Sequence, residues 1–530
     1  MQVQVKVDEE GALSNGRFAF SNRYTLITEL LQNARRAGAT KVDVDYDANA
    51  KVLRVIDDGC GIEDFQALLL INKSGWNEQI KAEEQPFGVG FSNCLYSATR
   101  VIVTSRGKRI DFRTEAALAK APIDVTEAEM MLGTTVELHG VDLPGFQEKL
   151  MRLVWGFPIP VCLNGEILPR PYALDALSLN FVQGTIGKVH LVGTVDGKNS
   201  RRDMVFLQGF CVIDENWCGV PLDVNVVHLD SSQFLARLPD RDQLIDEVEQ
   251  KQRIHTALKN MWRYVLEEQK RQLDAGEFCS RYFAAASSWR LTDIFDDMPL
   301  LPKQACHRIV GYPYQSYRGD ADYFSDLKTH LTKDQVESGQ VRLCYLENPA
   351  LDNILQWMFA LASGYIYVET YLLNKGHWAH DYVQTFDKAE SSADPKNVIC
   401  ESEFNGSWVS GKVVICDAYT ISVDGNTVEI TDAATFSNDR FLVPKNEHNG
   451  RVCLQVTNFV EDGHWVEGIQ YLDIDNLTAF IRKLRAVDPE KTFRAMLCEM
   501  GLDKYPVLHG KTFRLSVGVD PESLELELVA

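Results

Sequence analysis

The segment from residue 22 to residue 61 constrains the fold most strongly, because three regular elements follow one another with almost no connecting loop. Apolar side chains recur at helical spacing over 22–37. Strand-like runs follow at 41–46 and 52–56, and the second leads directly into Asp57-Asp58-Gly59-Cys60-Gly61. This order of helix, strand, strand and glycine-rich turn predicts the start of an α/β domain.

A second glycine turn and two further strands mark the rest of this first domain. The turn Gly88-Val89-Gly90 precedes a helical pattern that ends near residue 98. Strands are predicted at 101–105 and 134–138. Gly, Asp and Pro residues at 140–145 predict the end of the domain.

A chain of 530 residues exceeds what one hydrophobic core usually organises, so several domains are expected. The predicted fold class is α/β (α+β), with an α/β sandwich at 1–145, a second α/β domain at 146–280 and an α+β region at 285–530. The second domain is predicted to contain strands at 161–163, 188–192, 204–212 and 222–227 and a long amphipathic helix at 242–273. The third region is predicted to contain helices at 351–362, 476–484 and 490–500, strands at 365–372 and 412–415, a hairpin of 418–423 with 427–430 around Asp424-Gly425, and a strand pair around 512–529.

The composition argues against a general binder of polyanions. Lys and Arg total 54 against 75 Asp and Glu, for a formal charge of −21, so contact with DNA would need a local basic face. The twelve cysteines show no CxxC spacing, which argues against a disulfide framework or a zinc ribbon. No signal peptide pattern precedes the first strand-like run, so a cytoplasmic location is expected. The longest apolar run, 354–368, contains polar interruptions and is too short to span a membrane, so no membrane partner is predicted.

The first candidate functional pair is Glu29 and Asn33 on the early helix. Their i, i+4 spacing places the carboxylate and the amide on one helix face. A carboxylate there can activate a water molecule, and an amide oxygen can ligate Mg²⁺. Alone, this pair is more typical of a solvated helix face.

Three further motifs contain glycine. Asp57 stands at a strand end and can accept a hydrogen bond from an exocyclic amine, while Gly59 and Gly61 let the backbone approach a planar base. The turn at 88–90 precedes a helix and can present N–H groups to phosphate oxygens. Thr134 follows a glycine and offers a hydroxyl for base recognition. Taken singly, each motif is equally typical of an ordinary turn or strand start.

Taken together, the order Glu-x-x-x-Asn, Asp-x-Gly-x-Gly, Gly-x-Gly and Gly-Thr resembles the four motifs of the GHKL ATPases. That superfamily comprises gyrase-type topoisomerases, the ninety-kilodalton heat-shock chaperones, histidine kinases and MutL. The resemblance covers the chain through about residue 140. It implies a Bergerat-fold domain that binds ATP with Mg²⁺ and hydrolyses it slowly.

The resemblance implies a role for each motif residue. Glu29 would be the general base, and Asn33 would be the Mg²⁺ ligand. Asp57 would bind the adenine amino group with help from Thr134. The other nucleotide-binding positions would be Gly59 and Gly61 near the base, Gly88, Val89, Gly90 and Phe91 along the phosphates, and Lys73 in a lid over residues 63–87. The chain departs from the family at Arg36, where the family commonly has Asp.

Two signatures within the superfamily are mixed in this chain. The stretches NKSG at 72–75 and FGVGFS at 87–92 resemble the lid and glycine motif of the heat-shock chaperones. The stretch NARRAGAT at 33–40 is closer to the corresponding stretch of MutL. The chain therefore resembles the ATPase domains of the heat-shock chaperones, with some features of MutL.

A second-domain residue is also implied by the resemblance. In this superfamily a transducer or middle domain sends a basic residue to the γ-phosphate. The stretches 221–226 and 238–241 are similar to such segments, which makes Arg241 the first candidate and Arg237 the second. The alternative is an exposed charge at a helix start.

The output of such an ATPase is open at the level of sequence. The favoured interpretation is an ATP-driven conformational clamp or chaperone-like remodeller that forms an ATP-dependent homodimer and acts on a protein client. One alternative is a DNA-associated ATPase similar to MutL, the topoisomerase VI B subunit or the microrchidia ATPases, with Lys198, Arg201 and Arg202 lining a basic channel. Another is an ATP-sensing scaffold in host defence.

Other polar and aromatic residues favour structural roles. His377, His380 and Asp381 have the spacing of a partial metal site, but the sequence places no further ligand beside them. Trp262 and Tyr264 on the long helix are expected in the core or at a partner surface.

Overall fold

The computed structural model describes residues 3–4, 8–16, 18, 22–70, 76, 90–214, 223–237, 241–312, 323–347, 353–456, 467–518 and 523–529. Its contacts divide the chain into two compact units, Met1–Ile294 and Phe295–Ala530. The candidate residues of the nucleotide motifs fall in the first unit.

The first unit contains two sheets and seven described helices. The helices are α1 (Glu9–Gly16), α2 (Thr25–Arg36), α3 (Ser92–Ser97), α4 (Thr114–Leu118), α5 (Phe146–Leu153), α6 (Glu247–Gln272) and α7 (Ala275–Ser288). The strands are β1 (Val42–Asp47), β2 (Val52–Asp57), β3 (Arg100–Ser105), β4 (Lys108–Arg113), β5 (Val125–Glu127), β6 (Thr134–His139), β7 (Val161–Leu163), β8 (Glu166–Ile167), β9 (Val182–Gly184), β10 (Gly187–His190), β11 (Asp203–Leu207), β12 (Phe210–Asp214) and β13 (Asn225–Leu229).

The first sheet has eight strands in the order β5-β4-β3-β6-β2-β1-β7-β8. Neighbouring strands are antiparallel except β1 and β7, which are parallel. The apolar face of α2, which includes Leu26, Ile27 and Leu31, packs with strand residues in one buried core. The helix and strand periodicities at the start of the chain are therefore confirmed, and the mixed α/β fold is as predicted.

The first sheet continues past residue 145, where the glycines and proline predict a boundary. β7 and β8 extend it to Ile167, and Phe146 and Leu150 of α5 belong to the same core. The cause is that β7 supplies the missing edge partner of β1. The divisions at 145 and 280 otherwise stay predictions.

Gly133 allows the end of β2 and the start of β6 to lie close together. Asp57 at the end of β2 lies opposite Thr134 at the start of β6. Gly133 has φ +77°, and a Cβ at this position would overlap the carbonyl oxygen of Asp57. Only glycine combines this backbone conformation with such a close approach.

The second sheet has five strands in the order β12-β11-β13-β10-β9. The single strand predicted at 204–212 is wrong, because Gln208 and Gly209 form a turn that splits it into β11 and β12. Both turn residues have positive φ, +55° and +91°. Because the residues on both sides are apolar, the whole run resembles one strand. Gly209 is the residue that indicates a turn between two strands.

The long predicted helix of the second domain is confirmed as α6. Trp262 is fully buried in it, whereas Tyr264 is 66% exposed. The helix α7, which follows it, was not predicted from the sequence.

The second unit mixes short helices with longer strands. Its helices are α8 (Lys333–Glu337), α9 (Ile354–Ala362), α10 (Glu467–Leu484) and α11 (Pro489–Glu499). Its strands are β14 (Leu300–Leu301), β15 (Cys306–Ile309), β16 (Phe324–Asp326), β17 (Leu331–Thr332), β18 (Leu343–Tyr345), β19 (Ile366–Val368), β20 (Val383–Thr385), β21 (Ser391–Asn405), β22 (Ser410–Val423), β23 (Asn426–Ile430), β24 (Thr435–Ser437), β25 (Arg440–Pro444), β26 (Phe513–Val517) and β27 (Leu524–Leu528).

The strands of the second unit form two five-stranded sheets and two strand pairs. One sheet has the order β16-β15-β19-β18-β20, and the other has the order β21-β22-β25-β24 with β23 paired to β22. The predicted hairpin is confirmed, with Asp424 and Gly425 at φ +45° and +78°. The strand predicted at 365–372 is shorter than expected, because a 3₁₀ turn at Thr370–Leu372 ends it.

Two sequence expectations concern membranes and disulfides. Among the described residues, no helix combines the length and apolarity needed to cross a membrane. The cysteines that the structure describes are all free thiols.

Gly133→Ala tests whether the close approach of β2 and β6 at this position requires glycine. We expect it to lower the free energy of unfolding of the first unit by about 3 kcal/mol or more, since a left-handed alanine costs ~1–2 kcal/mol and the clash with Asp57 adds to it. Gly145→Ala is the matched control, because Gly145 has φ +69° but open space around its Cβ. Urea unfolding should show a loss of only about 1 kcal/mol for the control. Equal losses for the two variants would contradict the argument.

Candidate active site

Glu29 lies on a buried face of α2, and its exposed fraction is only 5%. Gln32, one turn further along, is completely buried, and Asn33 is half-buried. The helix starts at Thr25 without a side-chain cap. The predicted pair therefore sits on a helix, but the carboxylate is buried, whereas a solvated helix face would expose it.

Asp57 occupies the end of β2, where backbone groups hold its carboxylate. The N–H of Gly59 donates to Oδ1 at 2.9 Å, and the N–H of Thr134 makes a second hydrogen bond. Burial raises the pKa of Asp57, because the charged form loses solvation. The carboxylate is thus fixed in place while one side stays available to a hydrogen-bond donor.

The glycines beside Asp57 are required by close contacts. A Cβ at Gly59 would lie 2.6 Å from Cβ of Ala37 and 2.9 Å from Asp57 Oδ1. Gly61 has φ +73°, in the left-handed region. Any larger residue at these positions would push the turn away from the carboxylate.

Ser105 supports this end of the site, although the sequence analysis did not select it. Its hydroxyl donates to the carbonyl of Gly133 at 2.6 Å and lies 3.4 Å from the hydroxyl of Thr134. It also accepts a hydrogen bond from the N–H of Ile62 at 2.9 Å. Ser105 is fully buried at the end of β3. In the sequence, a polar residue at the end of an otherwise apolar strand was the feature that could have identified it.

Gly90 brings the start of α3 against Glu29. A Cβ at Gly90 would overlap the Glu29 carboxylate. Phe91, the next residue, packs against the first core. Lys73, Gly88 and Val89 lie outside the described residues, as do the 72–75 stretch and most of the predicted lid.

Arg241 comes from the second domain and reaches the predicted general base. Its Nε donates to Glu29 Oε1 at 2.8 Å, with the two side chains 9% and 6% exposed. The second candidate, Arg237, is instead 60% exposed and lies 3.8 Å from Asp242. Of the two arginines, the structure brings Arg241 to the site.

Two glutamines complete this contact, and sequence reasoning missed both. Gln32 Nε2 donates to Gln208 Oε1 at 2.5 Å, and Arg241 Nη1 donates to the same oxygen at 3.4 Å. Gln32 is one turn from Glu29, so its position on the same face was readable. Gln208 was hidden inside the run interpreted as a single strand.

Arg36 stands at the position where the family commonly has Asp. It is the last residue of α2 and is half-buried, with Arg35 before it. Positive charge in the last turn of a helix interacts favourably with the helix dipole. This gives a local reason for the cation, whatever its effect on a bound nucleotide.

The histidine cluster of the second unit does not form a metal centre. His377 is buried, which lowers its pKa to about 4, and its Nδ1 accepts a hydrogen bond from the N–H of Ala379. His380 Nε2 lies 3.0 Å from the carbonyl of Asn374. In the part of the chain that the structure describes, no three His, Cys, Asp or Glu side chains could hold a metal ion.

The residues present fit a purine nucleotide with Mg²⁺. The half-buried carboxylate of Asp57 matches an exocyclic amine, and the close-packed glycines allow a flat ring to approach the backbone. Asn33 offers an oxygen ligand, and Mg²⁺ usually takes one or two protein oxygens together with phosphates and water. Glu29 and Arg241 could supply a carboxylate and a cation for the phosphate end of such a nucleotide.

Comparison with known proteins identifies the domain that carries these residues. Residues 22–137 match the family model described as "Histidine kinase-, DNA gyrase B-, and HSP90-like ATPase". The chain is 28% identical over 123 residues to the DNA mismatch repair protein MutL of Escherichia coli (strain ATCC 8739) and, over the same length, to that of Enterobacter sp. (strain 638). Each match spans 22% of this chain and 20% of the relative. Residues 22–137 are therefore a GHKL-type ATPase domain, distantly homologous to that of MutL.

Proposed function

We propose that the protein binds ATP with Mg²⁺ and hydrolyses it to drive a conformational change. The observation that carries the proposal is the buried contact between Glu29 of the ATPase domain and Arg241 of the second domain. This contact supports a site in which Glu29 acts as the base and Arg241 of the second domain supplies a positive charge. Such catalysis depends mostly on positioning and on stabilising phosphate charge.

Asp57 is the residue that recognises adenine in this proposal. Its carboxylate is oriented by the N–H groups of Gly59 and Thr134. Gly61 lets the backbone turn beneath the base, and the Thr134 hydroxyl, kept near Ser105, assists. An amine donor on the base gives this end its specificity.

Glu29 and Asn33 serve the phosphate end. Mg²⁺, when bound, supplies the charge that neutralises phosphate oxygens. Asn33 would ligate it through the amide oxygen. By the resemblance to the family, the N–H groups of residues 88–91 and the side chain of Lys73 would bind the phosphates. Glu29 accepts the proton of the attacking water.

Arg241 is the candidate for contact with the γ-phosphate. Its guanidinium now donates to Glu29, and phosphate oxygens are acceptors of comparable strength for the same group. Transfer of Arg241 from Glu29 to phosphate would free the carboxylate to act as a base. Hydrolysis is thereby coupled to the position of the second domain.

The favoured output is an ATP-dependent homodimer that acts as a conformational clamp or chaperone-like remodeller on a protein client. The acidic balance of the chain supports a protein partner over a nucleic acid. The similarity to MutL supports the alternative, a DNA-associated ATPase. Its basic patch would be Lys198, Arg201 and Arg202, which are exposed.

Glu29→Ala should retain ATP binding and lose hydrolysis. Removal of a general base lowers kcat by about a hundredfold or more. Because this variant leaves Arg241 buried without its partner, Glu29→Gln, which keeps an acceptor for Arg241, is measured beside it. Phosphate release and nucleotide affinity are the readouts, and the exposed Glu115→Gln is the control. Unchanged hydrolysis in both Glu29 variants would refute the assignment.

Asp57→Asn should weaken ATP binding by about tenfold or more, since a hydrogen bond to a charged group is lost. In the wild type, affinity should fall as pH drops through the Asp57 pKa, at a higher pH than the ordinary value of 3.8 would give. The linked stability has the opposite sign: the folded protein binds this proton more readily, so the contribution of Asp57 to stability declines as pH rises through the same window. Calorimetric titration of ATP against pH measures the affinity, with the exposed Asp45→Asn as control. Equal ATP affinities for the two variants would exclude Asp57 from recognition.

The output is tested by ATPase activity with a duplex DNA or an unfolded protein, and by sedimentation with a non-hydrolysable ATP analogue. We expect dimer formation with the analogue and stimulation by the unfolded protein. DNA stimulation that falls steeply with salt, and that disappears when Lys198, Arg201 and Arg202 are changed to alanine, would replace the remodeller with the DNA-associated alternative. ATP binding without any hydrolysis would exclude both ATPase hypotheses and support the ATP-sensing scaffold.

A further inference from the structure

We propose that Gln208, at the tip of the β11–β12 hairpin, is a positioning residue that aims Arg241 into the active site. This inference rests on the proposed ATP hydrolysis, in which Arg241 acts on the nucleotide. Gln208 contacts Arg241 and acts on the reaction only through this residue.

The contacts of Gln208 join the two domains. Its Oε1 accepts hydrogen bonds from Gln32 Nε2 at 2.5 Å and from Arg241 Nη1 at 3.4 Å. Arg241 Nε in turn donates to Glu29, and Glu29 and Gln32 lie one turn apart on α2. These three side-chain contacts, together with the turn of α2 between Glu29 and Gln32, close a ring of four residues, two from each domain.

Packing fixes the hairpin tip against the first domain. A Cβ at Gly209 would lie 2.7 Å from Cδ of Pro158 and 3.1 Å from Cα of Phe157. The rings of Phe157 and Phe210 lie 5.2 Å apart. Since Phe157 belongs to the first core, the Oε1 of Gln208 is presented from a well-anchored position.

The arrangement of acceptors explains why this position matters for catalysis. The described side-chain contacts of Arg241 go to Glu29 and to Gln208. If Arg241 leaves Glu29 for phosphate, the contact with Gln208 still holds the guanidinium within the site. The amide of Gln32, completely buried, keeps Gln208 from turning away.

Gln208→Leu and Gln208→Glu separate this role from simple packing. Both replacements are unbranched at Cβ, so they meet the backbone at φ +55° similarly. Leucine removes the acceptor, whereas glutamate keeps it for both donors. We expect Gln208→Leu to lower kcat by about three- to tenfold, the effect of one hydrogen bond, with KM for ATP nearly unchanged. Gln208→Glu should restore kcat, and Gln208→Leu should add little to the loss caused by Arg241→Ala.

A second measurement does not depend on hydrolysis. In the nucleotide-free protein, hydrogen exchange at residues 207–210 and 241–245 should rise in Gln208→Leu and stay at the wild-type level in Gln208→Glu. Unchanged exchange in Gln208→Leu would overturn the ring itself. Raised exchange with unchanged kcat would overturn its link to catalysis. A wild-type protein that does not hydrolyse ATP would refute the proposed function and this catalytic role together, while the exchange data would still decide whether the ring exists.

Discussion

The first unit depends on one buried ion pair, between Glu29 on α2 and Arg241 from the second domain. Both charges are almost completely removed from water, and an unpaired charge in such a place costs about 3–5 kcal/mol. The two domains must therefore be placed so that these groups meet. The close packing of Gly90 against the carboxylate leaves little room for another arrangement.

Two carboxylates, the buried Glu29 and the half-buried Asp57, belong to the candidate site, and their partners differ in kind. Asp57 is held by backbone N–H groups, which cannot leave without unfolding the turn. Glu29 is held by a side chain, which can rotate away. A fixed environment suits recognition of a base, and an exchangeable partner suits a group that must change its protonation during turnover.

Sequence reasoning was successful where local pattern and chemistry coincide. Asp57 and its glycines lie within one turn, so their association could be predicted, and the matched family model covers the same part of the chain. Gln208 was missed because apolar residues flank it on both sides. Its partner Gln32 lies 176 positions away, and no periodicity reports such a contact. β21, with its many polar residues, shows no alternation strong enough to predict a strand of 15 residues.

The parallel strand β7 has a consequence for dissection of the chain. Without it, β1 would present a row of unpaired N–H and C=O groups, an exposed edge that invites pairing with other molecules. A fragment that ended at residue 145 would lose this cover and also the buried side chains of α5. The segment through Ile167 thus covers the edge of the first sheet, and a fragment designed to keep the ATPase domain folded must include it.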